Sequence, residues 1–166
     1  MTQAFGRYSI RRGNSADADV LAAFNAAMAL ETEGRQLDGP TLLRGVQMLL
    51  ADEQRGAYFV VEECATKQLV GQLLITREWS DWRAGEFWWI QSVYVRPEDR
   101  RQGVFRQLMQ HVEQAARQDS LCTGLRLYVD GDNQSAKQVY QTLGWCKTHY
   151  QVMEIDWSGC SHAVDA

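Results

Sequence analysis

From Phe87 to Val95 the chain reads FWWIQSVYV, an apolar run interrupted only by Gln91 and Ser92. Its bulk and its aromatic and β-branched content read as a strand. Beyond it, Val104, Phe105, Leu108, Met109, Val112 and Ala115 recur at helical spacing, and Leu125–Val129 reads as another strand. A strand, a helix and a strand in that order make a crossover unit, whose two strands lie parallel. This unit limits the chain to folds with at least one parallel pair.

The remaining pattern limits it further. Tyr8–Arg12 reads as a first strand, and Ser15 is placed to cap a helix carrying Val20, Leu21, Phe24 and Met28. The stretch ETEGRQLDG breaks that helix, and Leu42, Leu43, Val46, Leu49 and Leu50 mark a second. Tyr58–Glu63 and Leu69–Thr76 form a hairpin around Ala65–Lys67, which requires antiparallel pairing. Asn133–Leu143 reads as a helix and Thr148–Ile155 as a final strand. The expected class is α+β, a mixed, mostly antiparallel sheet with flanking helices in the order β-α-α-β-β-β-α-β-α-β. There is no internal repeat or linker. One domain is expected over residues 1–157, with a loose tail over 158–166.

Composition narrows the function. The formal net charge of the 166 residues is -4, which argues against a general nucleic-acid binder. Cys64, Cys122, Cys146 and Cys160 are scattered, with no CxxC and no zinc-ligand spacing, as expected for reduced thiols in a cytoplasmic protein without a metal. The opening MTQAFGRYSIRRG lacks the apolar core of a signal peptide, and no run approaches the ~18 apolar residues of a membrane span.

The junction VYVRPEDRRQGVF, from Val93 to Phe105, joins the long strand to its helix. A helix start presents backbone N–H groups without internal partners and adds partial positive charge, which suits an anion. Gly103 lets a ligand approach the backbone, and Arg100 and Arg101 bring forked donors for phosphate oxygens. The alternative is a solvated basic helix start balanced by Glu98 and Asp99. Neither GxGxxG nor GxxxxGK[ST] is present. A second stretch, DNQSAKQVYQTLGW, sets Asn133 and Tyr140 on one helical stripe, about 10 Å apart. Taken singly, Asn133 is a helix cap, Tyr140 a core aromatic and Gly144 a terminator.

Together the two stretches, in this order and at this separation, resemble the GNAT superfamily of N-acetyltransferases. The resemblance covers about Tyr8 to Ile155 and implies a GNAT-like acyl-CoA N-acyltransferase fold. It implies that Val93, Tyr94 and Val95 hold the pantetheine arm of acetyl-CoA through their backbone. The pyrophosphate would sit on Arg100, Arg101, Gln102, Gly103, Val104, Phe105 and Arg106. Asn133 would hydrogen-bond the pantetheine, and Tyr140 would reach the sulfur. Phe105 departs from the family pattern, which has Gly or Ala there. Its place on the apolar stripe lets its ring turn into the core while its N–H stays available.

The implied reaction is direct attack of an amine on the acetyl thioester. Only about one lysine-like amine in 10³ is neutral at pH 7, so deprotonation needs help. Tyr140 is a suitable donor to the leaving thiolate. Some family members place a glutamate four residues before the position of Val93, where this chain has Trp89. Gln91 and Ser92 are placed to order a water, and Glu31, Glu33, Glu78 and Asp81 are further acids to consider. The family likeness puts the acceptor near ETEG and EWSDWRAGEFWW, hence Glu31, Glu33, Asp81 and Trp82 as substrate residues. Trp88 is better read as strand core. The implied partners are an amine acceptor, no nucleic acid and no membrane, with a homodimer as an allowed state. An acyl-CoA sensor without turnover, or an interaction module using the Trp-rich loop, is the competing reading.

Overall fold

The computed structural model describes residues 3–129, 131–155 and 157, with only the backbone described for Ser135. These residues divide into two compact units, separated between Tyr128 and Val129.

The first unit is a six-stranded sheet in the spatial order β1-β2-β3-β4-β5-β6. The strands are β1 (Gln3–Phe5), β2 (Tyr8–Arg12), β3 (Ala57–Glu63), β4 (Leu69–Ser80), β5 (Gly85–Val95) and β6 (Cys122–Leu127). All neighbours run antiparallel except β5 and β6, which are parallel as the crossover requires. The helices are α1 (Ala18–Glu33), α2 (Gly39–Leu50) and α3 (Val104–Gln118). Alternate residues of β3 show how the layers form. Tyr58 and Val60 join Leu21 and Phe24 of α1, Val46 of α2 and Tyr94 of β5 in one core. Phe59, between them, meets His111 of α3 with ring centroids 5.6 Å apart on the opposite face. Among the described residues no helix is long and apolar enough to cross a membrane.

Local chemistry sets the helix starts. Asn14, rather than Ser15, accepts from Ala16 N–H, and its own N–H donates to the Asp17 carboxylate. This capping box closes a single turn at Ser15–Asp17, and α1 begins after it. Helix α1 runs through Glu31 and Glu33 into the ETEGRQLDG stretch expected to break it, where Gly34 ends it in the left-handed conformation (φ 63°). Of its expected apolar stripe, Leu21 and Phe24 are buried, while Val20 faces outward. In α2, Asp38 accepts from Thr41 N–H and Pro40 occupies the first turn.

Helix α3 buries Val104, Leu108, Met109, Val112 and Ala116. Phe105 flanks this stripe and is half-buried, so the expectation that its ring turns into the core is met only in part. One residue of offset, about 100° around the helix, explains it, because Val104 and Leu108 take the central line of the stripe. Trp88 is buried, as expected for strand core.

The second unit holds α4 (Gln134–Thr142), ended by Leu143 and by Gly144 at φ 86°. No strand forms among residues 145–155, so the final strand expected over Thr148–Ile155 is corrected. Its apolar residues Tyr150, Val152, Met153 and Ile155 are exposed. A strand exists only where its N–H and C=O groups join a ladder, and alternation of side chains does not supply one. The short strand β1 was not expected. The tail over 158–166, with Cys160, lies outside the described residues.

Candidate active site

Gln91 is the residue around which the site is built. Ser92 pairs with Leu74 and Ile90 with Ile75, neighbours on β4, so Gln91 is the extra residue of a β-bulge. On its other edge β5 pairs with β6 from Glu86↔Cys122 to Ile90↔Leu127, where the described ladder ends. The bulge and the end of the parallel ladder therefore coincide. Past them, Arg96 N–H reaches back to the Val70 carbonyl of β4 at 2.9 Å. The planar peptide turns the Val95 carbonyl the opposite way, where Arg100 Nε donates to it at 2.9 Å. By the alternation of an antiparallel pair, the N–H and C=O of Val93 face away from β4 as well.

The turn after β5 leads into α3. Pro97–Asp99 is a single tight turn, Arg100 is extended, and Arg101 (φ 61°) and Gly103 (φ 81°) adopt left-handed backbone. This path leads to the start of α3, where the first backbone N–H groups lack helical partners and suit an anion. Gly103 is the N-cap residue of α3, and no side chain caps the helix there. A Cβ at Gly103 would meet nothing within 4 Å, so glycine is needed for its φ and not for space. Arg101, Gln102, Gly103 and Arg106 are all exposed at this start.

Asp99 holds the turn in place. It is 1% exposed and accepts from Tyr8 Oη (2.8 Å) and Arg7 Nη2 (2.9 Å) at one oxygen and from Arg96 Nε (2.9 Å) at the other. Burial alone would raise this carboxyl, but the bonds from Tyr8, Arg96 and Arg7 outweigh it and hold it below the ordinary value. Tyr8 Oη also lies 3.0 Å from Gln102 Oε1, and Gln102 Nε2 donates to the Glu98 carbonyl at 2.9 Å. Of these partners only Gln102 carries a site role in the sequence, where Asp99 and Glu98 read as the two acids balancing a basic helix start.

Glu31, expected near an acceptor, pairs with Arg100 at 2.6 Å and accepts from Tyr94 Oη at 3.4 Å. It thus ties the end of α1 to the turn. Glu33 is exposed on the last turn of α1. Asp81 and Trp82 sit at the tip joining β4 to β5, where the Asp81 carboxylate accepts Trp82 N–H and Trp82 is 87% exposed.

A further cluster occupies the sheet face above the bulge. Thr76 pairs with Trp89, Glu78 with Phe87, and Trp89 with Arg126. Gln91 Nε2 donates to Thr76 Oγ1 at 2.6 Å. Glu78 accepts from Trp89 Nε1 at one oxygen and from Arg126 Nη1 (2.8 Å) at the other. Trp89 stacks on Tyr128 at 4.5 Å. Phe87, Arg126 and Tyr128 were not singled out from sequence. The alternation Leu125, Arg126, Leu127, Tyr128 was the available signal for a strand with one polar face.

In the second unit, Asn133 accepts from Ala136 N–H at 3.0 Å and caps α4. Tyr140 lies two turns along, half-buried, with its ring 5.9 Å from that of Trp145. Burial pushes its phenol up, so the hydroxyl keeps its proton at neutral pH.

A strand edge freed beside a bulge and followed by a glycine-led helix start defines a known class of fold. Residues 23–145 match the Acetyltransferase (GNAT) family, and the chain belongs to that family. Among solved structures, a possible acetyltransferase from Clostridium difficile 630 is 40% identical, with 91% of this chain and 98% of that one covered and a TM-score of 0.85. Two more distant structures share the fold. A ribosomal-protein-alanine N-acetyltransferase from Brucella melitensis biovar Abortus 2308 is 15% identical (90% and 99% covered, TM-score 0.71). An aminoglycoside N-acetyltransferase in complex with CoA is 14% identical (95% and 99% covered, TM-score 0.73). No curated protein sequence matches the chain.

Proposed function

We propose that this acetyltransferase moves an acetyl group from acetyl-CoA to a primary amine of a small molecule or peptide by direct attack. The observation that carries the reading is the freed edge of Val93–Val95 leading into the Arg100–Gly103 turn. A pantetheine arm has amides that pair with such an edge, and a pyrophosphate follows it in the molecule as the anion-binding turn follows β5 in the chain. Val93, Tyr94 and Val95 hold the arm, and Arg100–Arg106 hold the pyrophosphate, with Arg101 and Arg106 as exposed cations beside Arg100, which pairs with Glu31. By the family likeness, Asn133 bonds the pantetheine and Tyr140 serves the sulfur. This reading takes residues 1–157 as one domain.

In the reaction a carbon–nitrogen bond forms and the carbon–sulfur bond breaks. The incoming ammonium loses two protons overall, one to solvent and one to the leaving thiolate through Tyr140. Backbone N–H groups at Val93–Val95 polarise the thioester carbonyl. In this reading the acyl group lies beside the bulge, and Gln91 and Ser92 order a water relay from the amine in place of a carboxylate at Trp89.

Thermal melts with acetyl-CoA, CoA and adenosine, joined to thiol release across an amine panel, test the reading. Acetyl-CoA and CoA should raise Tm well above adenosine, because each binds the folded chain alone. Thiol release should follow with at least one amine. No shift at saturating acetyl-CoA overturns the donor assignment. A shift without thiol release from any amine favours the acyl-CoA sensor.

A further inference from the structure

The sheet face above the bulge carries charged and aromatic groups that neither the proposed donor site nor the folded core requires. Its members are Glu78, Phe87, Trp89, Arg126 and Tyr128, with Arg83 reaching in from the tip. The Arg126 guanidinium lies 3.8 Å from the Phe87 ring centre, and that of Arg83 lies 5.0 Å from it. The Arg126 fork gives one N–H to Glu78 and has others to offer. The Glu78 carboxylate, its side chain 44% exposed, keeps lone pairs beyond the two bonds it accepts. The Trp89–Tyr128 stack forms an apolar wall beside both, and Tyr128 is 57% exposed.

Charge on this face is specific. Glu86 pairs with Arg77, whose guanidinium lies over Trp88 on the opposite face, so it does not balance Arg83 and Arg126. Among the cluster's own side chains, two are guanidiniums and one is a carboxylate, with Asp81 at the tip beside Arg83. The cluster abuts Gln91, where the proposed thioester carbon would lie, through the Thr76–Gln91 bond and the neighbouring Trp89.

We infer that this face is the acceptor site, and that it selects an amine which also carries a carboxylate, as in an amino acid or short peptide, over polycationic amines. The inference rests on the acetyl-transfer reading above. Arg126 and Arg83 receive the acceptor carboxylate, Glu78 orients the ammonium, and the Trp89–Tyr128 wall packs against the acceptor side chain. A polyamine or aminoglycoside would bring several positive charges against two guanidiniums, with one acid of the cluster to offset them.

The test compares phenylalanine with phenethylamine, which differ by the carboxylate, and sets both against spermidine. The wild type should favour phenylalanine over phenethylamine in kcat/KM by about tenfold or more, as expected for a charge-assisted carboxylate contact. Arg126→Met, which keeps an apolar stem over Phe87, should shrink that ratio by about tenfold, and Arg83→Ala should shrink it less. Acetyl-CoA melts of both variants report whether they fold and bind the donor. Calorimetric titration of the same three amines into CoA-saturated protein reads the selectivity without turnover. A wild-type preference for spermidine or phenethylamine in either assay, or a ratio unmoved by both substitutions, overturns the inference. Failure of the acetyl-transfer reading shows separately, as absence of a melt shift with acetyl-CoA.

Discussion

Tyr8 donates its phenol proton to Asp99 at 2.8 Å, joining two residues 91 apart in sequence through a carboxylate with 1% exposure. The bond sets the floor under the Arg100–Gly103 turn. Tyr8→Phe should cost about 1–2 kcal/mol, and Asp99→Ala about 3 kcal/mol or more, because the latter leaves cations and a hydroxyl without their acceptor. The depressed Asp99 carboxyl also gives a pH signature. Its folded value lies below the ordinary 3.8, so its contribution is complete above about pH 5 and is lost as pH falls through and below about 4. The stability gap between wild type and Asp99→Asn should narrow over that acid range. Urea unfolding at several pH values measures both effects, and a gap constant with pH would contradict the assignment.

Gly103 separates backbone strain from charge. Gly103→Ala meets open space but must hold φ 81°, so it should cost about 1–2 kcal/mol of stability. Its acetyl-CoA affinity should fall only slightly. Gly103→Glu carries the same strain and sets a negative charge where the pyrophosphate is proposed to lie, so affinity should fall by about tenfold or more. Calorimetric titration of the folded variants decides it, and equal affinities for the two would move the anion elsewhere.

Helix α3 predicts an order of effects. Leu108 is fully buried, and Leu108→Ala should cost about 2–5 kcal/mol. Phe105 is half-buried, and Phe105→Ala should cost less than the roughly 3–5 kcal/mol typical of a buried phenylalanine. Denaturant midpoints would show the order, and a larger loss at Phe105 would make it a core residue after all.

Tyr140→Phe keeps the ring and removes the proton. With burial holding the phenol neutral, loss of the hydroxyl should lower kcat and kcat/KM together by about 10²-fold, with acetyl-CoA affinity little changed. Single-turnover measurement on an identified acceptor excludes masking by product release. A variant retaining the full single-turnover rate would make Tyr140 a packing residue.

Legibility in the sequence followed the range of the forces involved. Strands β2 to β6 and helices α1 to α4 announced themselves by local apolar spacing, and the glycine-led junction by its composition. The bulge left one visible trace, the polar Gln91 inside an apolar run, yet its register depends on β4. Glu31 stood out only through the family likeness, while its partner Arg100 lies 69 residues away. Arg126 and Tyr128 read as ordinary strand residues until β5 set Phe87 and Trp89 beside them. The final strand failed for the converse reason, since a good local pattern found no ladder.

The contrast between the two edges of β5 also bears on the order in which the molecule assembles. On one side, β4 and β5 pair from Ser80↔Gly85 outward, a hairpin that can zip from its own tip in about 1–10 μs. On the other, β6 joins only after the whole of α3 has been laid down between them, at a larger loop-closure cost. The β4–β5 amides should therefore gain protection before those of β6 in pulse-labelled refolding, and simultaneous protection would refute this order. The strand end proposed for chemistry then lies between a pairing made early and one made later.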